Sequence, residues 1–308
     1  MINYSIIIPH KNTPCLLQYC LDSIPVRDDV QVIVVDDNSD VDMVDFEHFP
    51  QWKGTKYECY LTKEGKGAGY ARNVGLEHAL GKWVLFVDAD DFLLPLANEI
   101  FDEELITDAD IVFFRSKAVV LEDRETISHR ADFACDIIDN YFKTGDETAL
   151  RCRWFSPCNR FFSLELIRSN SIRFDEIKYS NDNLFAVTAG TCARKIVVRE
   201  KTYMCITESD NSLTSHFMEK PGELQIRTDA FFRAQMVLHK HAYPVDEVVA
   251  LNFLRKLFSV DIDAFVLNFN RMRKIGYKKP WLICEVFKEN SRKARIKRSA
   301  YTFVATGI

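Results

Sequence analysis

The chain has 308 residues, 47% of them hydrophobic and 28% charged, with a formal net charge of −5. That size holds one large α/β domain with an extension, or two modest domains, and the near-average composition excludes a disordered, collagen-like or small disulfide-built chain. No apolar run approaches the ~20 residues needed to span a bilayer. Met1-Ile2-Asn3-Tyr4 leads into an apolar stretch of only Ile6 to Ile8 with no basic leader, so the expected location is the cytoplasm.

Nine cysteines are scattered along the chain with no C-x-x-C spacing. An odd, unclustered set argues against a zinc site or a disulfide framework and for reduced, mostly buried thiols. The net charge hides an asymmetry. Between Arg271 and Arg298 stand eleven Lys/Arg and two Asp/Glu, a local charge of +9, so the remainder carries −14.

Apolar, β-branched runs at Ser5–Pro9, Gln31–Asp36, Tyr57–Thr62, Trp83–Asp88 and Asp110–Arg115 read as strands. Helical spacing occupies the gaps at Cys15–Ile24, Gly69–Leu80 and Pro95–Ile106. Short strands that are apolar throughout and alternate with helices predict an α/β fold with a mostly parallel sheet covered on both faces. Beyond residue 120 the alternation weakens. Arg124–Ala149 is mixed and charged, an aromatic block runs from Trp154 to Phe162, and a helix at Asp182–Cys192 leads into one strand at Lys195–Ile206. From Glu219 onward the pattern is helical, with breaks near Tyr243-Pro244 and Lys279-Pro280. The expected domains are 1–216 and a C-terminal helical region, 217–308.

Parallel sheets bind ligands outside the carboxyl ends of their strands, so the polar residues there carry the functional signal. The first strand ends in Pro9-His10-Lys11-Asn12, and the second in Asp36-Asp37-Asn38-Ser39. An aspartate pair at a turn is either a capped loop or an acceptor for a nucleobase or ribose. Gly65-Lys66-Gly67-Ala68-Gly69 opens a helix that continues as Ala71-Arg72-Asn73-Val74-Gly75. A flexible entry of this kind lets backbone approach a phosphate that Arg72 could pair. The strand from Trp83 runs into Asp88-Ala89-Asp90-Asp91. Three carboxylates at one strand end repel one another unless a cation or donor compensates, and hard divalent ions take such ligands. A helix N-cap would need only one acid.

These four elements occur in the order and spacing of family 2 glycosyltransferases, which the sequence resembles well over residues 4–115 and more thinly to about 215. The resemblance implies the GT-A fold and an inverting, metal-dependent transfer from a nucleotide diphosphate sugar, commonly a UDP-sugar, in the building of bacterial surface polysaccharide. It implies that Asp37 binds the base, that Pro9 and His10 line the nucleotide pocket, and that Arg72 faces the nucleotide or its phosphates. Asp88, Ala89 and Asp90 match the D-x-D motif, with Asp88 near ribose or metal-bound water and Asp90 ligating Mn²⁺ or Mg²⁺. Ser180-Asn181-Asp182-Asn183-Leu184-Phe185 resembles the family's E-D-x-x-F element, which makes Asp182 the catalytic base and leaves Asn181 where the family has Glu. Read without the family, Asp182 is a helix N-cap. Trp154 and Asn181 fall on the acceptor side, where Trp154 either stacks on a sugar or packs in the core. Ser212–His216 resembles the stretch that follows the last core strand, with His216 either near the diphosphate or structural.

The implied acceptor is a saccharide or polyprenyl-linked hydroxyl, and no nucleic-acid module is present. The basic stretch 271–298, with Trp281, Cys284 and Phe287 at helical spacing, reads either as a peripheral contact with an anionic membrane surface or as a solvated face packed on the domain. Three other readings fit the residues less well. A sugar-nucleotide pyrophosphorylase wants glycines after the first strand, and Pro9–Pro14 has none. A receiver-type signalling domain carries its aspartate pair after the first strand, not the second. A non-catalytic nucleotide-sugar-binding protein is expected to lack Asp90 or Asp182, and both are present.

Overall fold

The computed structural model of the chain describes residues 1–209, 221–278 and 282–283. The chain divides into two units, Met1–Ser215 and His216–Ile308. In the first, the elements run β1 (Tyr4–His10), α1 (Pro14–Ser23), β2 (Val30–Asp37), β3 (Tyr57–Thr62), α2 (Ala68–His78), β4 (Trp83–Phe86), β5 (Phe92–Leu93), α3 (Ala97–Glu104), β6 (Ile111–Phe114) and β7 (Lys117–Val120). They continue as α4 (Asp132–Thr144), α5 (Thr148–Cys152), β8 (Arg160–Ser163), α6 (Leu164–Ser169), α7 (Asn183–Cys192), β9 (Ile196–Arg199) and β10 (Met204–Glu208).

The central sheet has the order β3-β2-β1-β4-β8-β6-β9, and only β8 runs antiparallel to its neighbours. Its strands are apolar throughout because both faces are covered. Ile6, Ile8, Val32 and Val34 face a core that includes Leu17, Cys20 and Leu21 of α1. Ile7, Ile33 and Val35 face a second core with Ala71 and Leu76 of α2. Each fully buried aliphatic side chain contributes about 1.5–3 kcal/mol, so the two cores fix the strand register. That register sets Ile8 beside Val34 and His10 beside Asp36, which brings the first two strand ends together.

Helix α2 lies close on this sheet. A Cβ on Gly75 would stand 2.4 Å from Ile7 Cγ2, so the helix approaches β1 only because the position lacks a side chain.

The structure departs from the sequence reading in three places. The expected strand at Lys195–Ile206 is two strands: the polar run Glu200-Lys201-Thr202 breaks it, β9 stays in the large sheet, and β10 joins β5 and β7 in a second, three-stranded sheet. The segment Arg124–Ala149 holds α4 and the start of α5. Helix α3 begins at Ala97 with Leu96 as its N-cap, so the acids at 88–91 do not cap it. All eight described cysteines are unpaired; Cys20, Cys152, Cys158 and Cys205 are buried, whereas Cys15 and Cys59 are exposed.

The second unit contains α8 (Pro221–Lys240), α9 (Glu247–Val260) and α10 (Ile262–Lys274) around Phe232, Leu254, Leu257, Phe265 and Met272. Asp246 and Asp261 cap α9 and α10 by accepting from the amides of Val249 and Ala264. The start of the basic stretch belongs to this unit. Arg271 bonds Asp229, Tyr277 Oη donates to Glu247 Oε1 at 2.9 Å, and Leu282 is buried. The rest of 271–298, the Lys279-Pro280 break and Ser212–His216 lie outside the described residues. Among the described residues, no helix is long and apolar enough to cross a membrane.

Replacing Gly75 by Ala forces its Cβ against a β-branched core side chain. The expected loss is about 1–3 kcal/mol, read as a lower midpoint in urea unfolding with an unchanged slope.

Candidate active site

The first two strand ends lock together through an internal network. His10 Nε2 accepts the Thr13 amide at 3.1 Å, so the ring proton sits on Nδ1 and is donated to Asp36 Oδ2 at 2.8 Å. Asp36 also accepts from the Ser39 amide and hydroxyl, at 2.8 and 2.5 Å. Burial pushes the Asp36 carboxyl up, yet the hydrogen bonds from His10 and Ser39 outweigh it and hold the group below its usual range. His10, read above as lining the nucleotide pocket, is buried with both ring nitrogens engaged and fixes the turn. Pro9, next to it, is partly exposed.

Asp37, one residue on, is buried too but only half used. Its Oδ2 accepts the Gly67 amide at 2.8 Å, and Lys11 Nζ lies 3.7 Å from the same oxygen. Its Oδ1 is buried with no partner among the described residues. An unmatched buried acceptor is costly, and here it marks a place for a donor from outside the chain.

The N-terminal part of α2 carries the second group. Arg72 is buried; its Nη2 bonds Asp88 Oδ1 at 2.6 Å, its Nη1 bonds Asn181 Oδ1 at 3.0 Å, and its guanidinium lies over the Phe174 ring at 5.3 Å. Burial works against its charge, but the Asp88 and Asp182 carboxylates raise its pKa above the usual arginine value. Asn73, to which the sequence reading gave no role, clamps the following segment: it donates to Phe174 O at 3.0 Å and accepts the Phe174 amide at 2.9 Å. The clamp works because Gly69 lets the segment approach, since a Cβ there would stand 2.1 Å from Asp175 O. Both residues sit inside the motif singled out above, and their packing role has no signature in a single sequence.

The acids after β4 divide their tasks. Asp91 is buried and accepts the Thr207 amide at 2.7 Å, tying this turn to β10. Burial, then Asp90 and Asp88, push its carboxyl well above the usual range. Asp90 is partly exposed, and burial followed by repulsion from Asp88 raises it as well. Ala89 between them is buried. Among the described residues, the one set of three acids or thiols that converges closely enough to share an ion is Asp88, Asp91 and Cys158. Cys158 is buried, and its thiol is pushed well up by burial and by Asp88 and Asp91, so it stays protonated and is no ligand for a hard cation. Burial first, and repulsion among the acids second, raise these carboxyls, and oxygen donors of this kind fit Mg²⁺ or Mn²⁺.

Asp182 holds the N-cap position of α7, yet its side chain makes no capping hydrogen bond. Its carboxylate is therefore not spent on capping the helix. Burial raises its pKa, Arg72 and Arg160 oppose that, and Asp88 adds to it. Trp154, a candidate for stacking on an acceptor sugar, is instead buried against Phe113 at 5.6 Å, because the aromatic block turns inward to form the core beneath β8. Asn181 is occupied by Arg72.

The model of the glycosyl transferase family 2 matches residues 5–171, more than half of the chain. The chain belongs to this family. Among curated members, it is 27% identical over 238 residues to the poly(ribitol-phosphate) β-N-acetylglucosaminyltransferase TarS of Staphylococcus aureus, covering 72% of this chain and 39% of that protein. It is 29% identical over 211 residues to a poly(ribitol-phosphate) β-glucosyltransferase of Bacillus spizizenii, covering 63% and 30%. The chain thus spans about two fifths or less of these relatives. The S. aureus TarS fragment 1–349 bound to UDP-GlcNAc shares the GT-A fold, with TM-score 0.63 at 19% identity over 99% of this chain and 91% of that one. A Pyrobaculum calidifontis mannosyltransferase bound to GDP-Man and Mn²⁺ superposes with TM-score 0.54 at 16% identity, over 99% and 86%.

In this member of the family, Asp36→Asn removes the acceptor that holds His10 and Ser39. Because the folded-state pKa is lowered, the stability Asp36 supplies is present above the ordinary carboxylate range and lost as pH falls through the lowered value. The variant is expected to be about 1–3 kcal/mol less stable than wild type at pH 7 and to converge with it in acid. Urea unfolding at both pH values measures this.

Proposed function

We propose that the chain is an inverting, metal-dependent glycosyltransferase that moves a sugar from a nucleotide diphosphate donor, a UDP-sugar, to a hydroxyl of a saccharide or lipid-linked acceptor in cell-surface polysaccharide synthesis. The observation that carries this reading is the orphan buried Asp37 Oδ1, together with Asp88 (held by Arg72), the raised acid Asp90 and the uncapped Asp182. A uracil imide N–H supplies the donor that Asp37 lacks. Asp90, with Asp88 beside it, would hold the divalent ion, whose charge would offset that gathering on the leaving diphosphate. Asp91 is spoken for by Thr207 and serves to shape the turn.

Arg72 orients Asp88 and adds positive charge near the diphosphate, where it stabilises the leaving group more in a poorly solvated cleft than it would in water. A sugar hydroxyl is a weak nucleophile, and Asp182 takes its proton as the acceptor oxygen attacks the anomeric carbon. The bond from that carbon to the diphosphate oxygen breaks as the new glycosidic bond forms, which inverts the anomeric centre. The two curated relatives act, by their names, on poly(ribitol-phosphate), which supports an acceptor that is itself a surface polymer. An acceptor of this kind would be met at the cytoplasmic side of the membrane, and 271–298 is the stretch to test for lipid contact.

The Asp90→Ala variant is expected to fold with unreduced stability, since it removes like-charge repulsion, and to lose transfer together with the metal-dependent part of donor binding. UDP-sugar titrations with and without Mn²⁺ read both; full activity across the metal titration would overturn the assignment.

Asp182→Asn is nearly isosteric and should keep donor affinity while turnover falls about 10²–10⁴-fold. A steady-state assay at saturating donor and acceptor decides it. Normal turnover would mean the variant is still a transferase with its base elsewhere, whereas no turnover by wild type on any acceptor would favour a non-catalytic nucleotide-sugar-binding protein.

A further inference from the structure

Asn73 spends its whole side chain on a segment far from it in the sequence. It is buried on α2, directly after Arg72. Its Oδ1 accepts the Phe174 amide at 2.9 Å, and its Nδ2 donates to the Phe174 carbonyl at 3.0 Å and to Glu176 Oε1 at 3.2 Å. A carboxamide offers one acceptor and one two-proton donor, and here each is used on the same stretch. Arg173 Nη1 donates in return to the Asn73 carbonyl at 3.4 Å. Bonds to both backbone groups of one residue fix the place and the direction of the chain there, which a single bond does not.

The clamped residue is joined to the proposed base by a short neck. The Asp175 amide donates to the Asn181 carbonyl at 3.0 Å, so the residues between them form a closed loop flanked by Phe174 on one side and Asp182 on the other. This loop sits against the first turn of α2. A Cβ on Gly69 would stand 2.1 Å from Asp175 O and 2.9 Å from Asn181 Cβ, and Arg72 Nη1 holds Asn181 Oδ1 at 3.0 Å. Beyond the neck, the Ala186 amide donates to Asp182 O at 2.9 Å, and the Phe174 ring stacks on Phe185 of α7 at 4.0 Å. The Asp182 side chain makes no capping bond that would hold it. Its place is set by the backbone on either side, and before α7 that backbone is held by α2.

We propose that Asn73 is a positioning residue for the transfer: by clamping Phe174 it fixes, through the Asp175–Asn181 neck, where the Asp182 carboxylate stands. This rests on Asp182 being the base. A general base must lie within hydrogen-bond reach of the proton it takes, and a misplacement of about 1 Å caused by a change remote from the chemistry can cost on the order of 10²-fold in rate. Among the described residues, the side chain of Asn73 bonds Phe174 and Glu176 and none of Asp37, Asp88 or Asp90. Releasing the clamp therefore acts on the segment that carries the base and leaves the donor-side groups in place.

The test uses two variants of the full chain that disturb one contact from opposite sides. Asn73→Ala removes the clamp, and Gly69→Ala pushes on Asp175 with a new Cβ while keeping every clamp bond. Each is assayed for UDP-sugar turnover alone and combined with Asp182→Asn. The expected result is a fall in kcat of roughly 10²-fold with the donor KM unchanged. Each double variant should be no slower than Asp182→Asn alone, because a group that acts only through the base adds nothing once the base is gone. Amide hydrogen exchange of the metal-free protein should be faster over 174–182 and unchanged in the sheet. Should Asn73→Ala lose protection throughout the sheet, Gly69→Ala and the milder Asn73→Ser decide. Losses that multiply in the double variants, a raised donor KM at unchanged kcat, or unchanged exchange over 174–182 each overturn the proposal. Normal turnover of Asp182→Asn by itself removes the base assignment and the proposal with it. If exchange rises as expected but wild type transfers no sugar, the clamp on the Asp182 segment stands and the transferase reading fails.

Discussion

Arg72 carries a full positive charge into a place that water barely reaches, and three segments of chain converge to make this tolerable. Helix α2 supplies it, the turn after β4 supplies Asp88, and the segment before α7 supplies Asn181 and the Phe174 ring. A buried charge left unpaired costs several kcal/mol, so these three segments cannot drift apart without exposing that cost. The dependence runs both ways. Asp88 stands beside Asp90 and Asp91, whose carboxyls are already raised by one another and by burial, and Arg72 is the one guanidinium bonded to any of the three among the described residues. The local arrangement follows from this balance, with Arg72 bonded to Asp88 and the charge of Arg130 drawing Asp90 and Asp91 down against burial.

Adjacent aspartates at the end of β2 show how a parallel strand separates support from recognition. Side chains alternate across a sheet, so Asp36 and Asp37 cannot share a neighbourhood. Asp36 turns to His10 and Ser39 and is fully satisfied there. Asp37 turns to the Gly67 loop and keeps one oxygen unmatched. The internal network of the first makes the second rigid, and a rigid unmatched acceptor loses little conformational freedom on binding.

The strands and helices of the first half were legible because their apolar periodicity is the same property that buries them: β1, β2 and α2 lie within one or two residues of the sequence reading. The small sheet was not, because β5 has two residues and β7 four, too short for a periodic signal, and their partner β10 was hidden inside a longer apolar run. The acids, Arg72 and Asp182 were legible through an ordered set of motifs. Their division of labour was not. Nothing in Asp88-Ala89-Asp90-Asp91 says that the last acid is consumed by the Thr207 amide, nor does His10 announce that a backbone amide will occupy its second nitrogen. Trp154 shows the limit most plainly: an aromatic side chain offers the same surface to a sugar and to a core, and only the direction in which β8 leads the block decides between them.

Asn181 is where the chain departs from the family pattern, and the geometry gives that departure a consequence. Its amide oxygen accepts from Arg72 Nη1, so the position still fastens the segment before α7 to helix α2. A glutamate there would do the same with a negative charge. It would compete with Asp88 for the guanidinium and set a second carboxylate next to Asp182, and like charges at that spacing raise each other's pKa. The neutral amide keeps the tether and removes the repulsion. Asp182 is left as the single acid of the pair, its carboxyl raised by burial and drawn down by the charge of Arg72. The substitution thus leaves the Asp182 carboxyl answering to fewer charged groups.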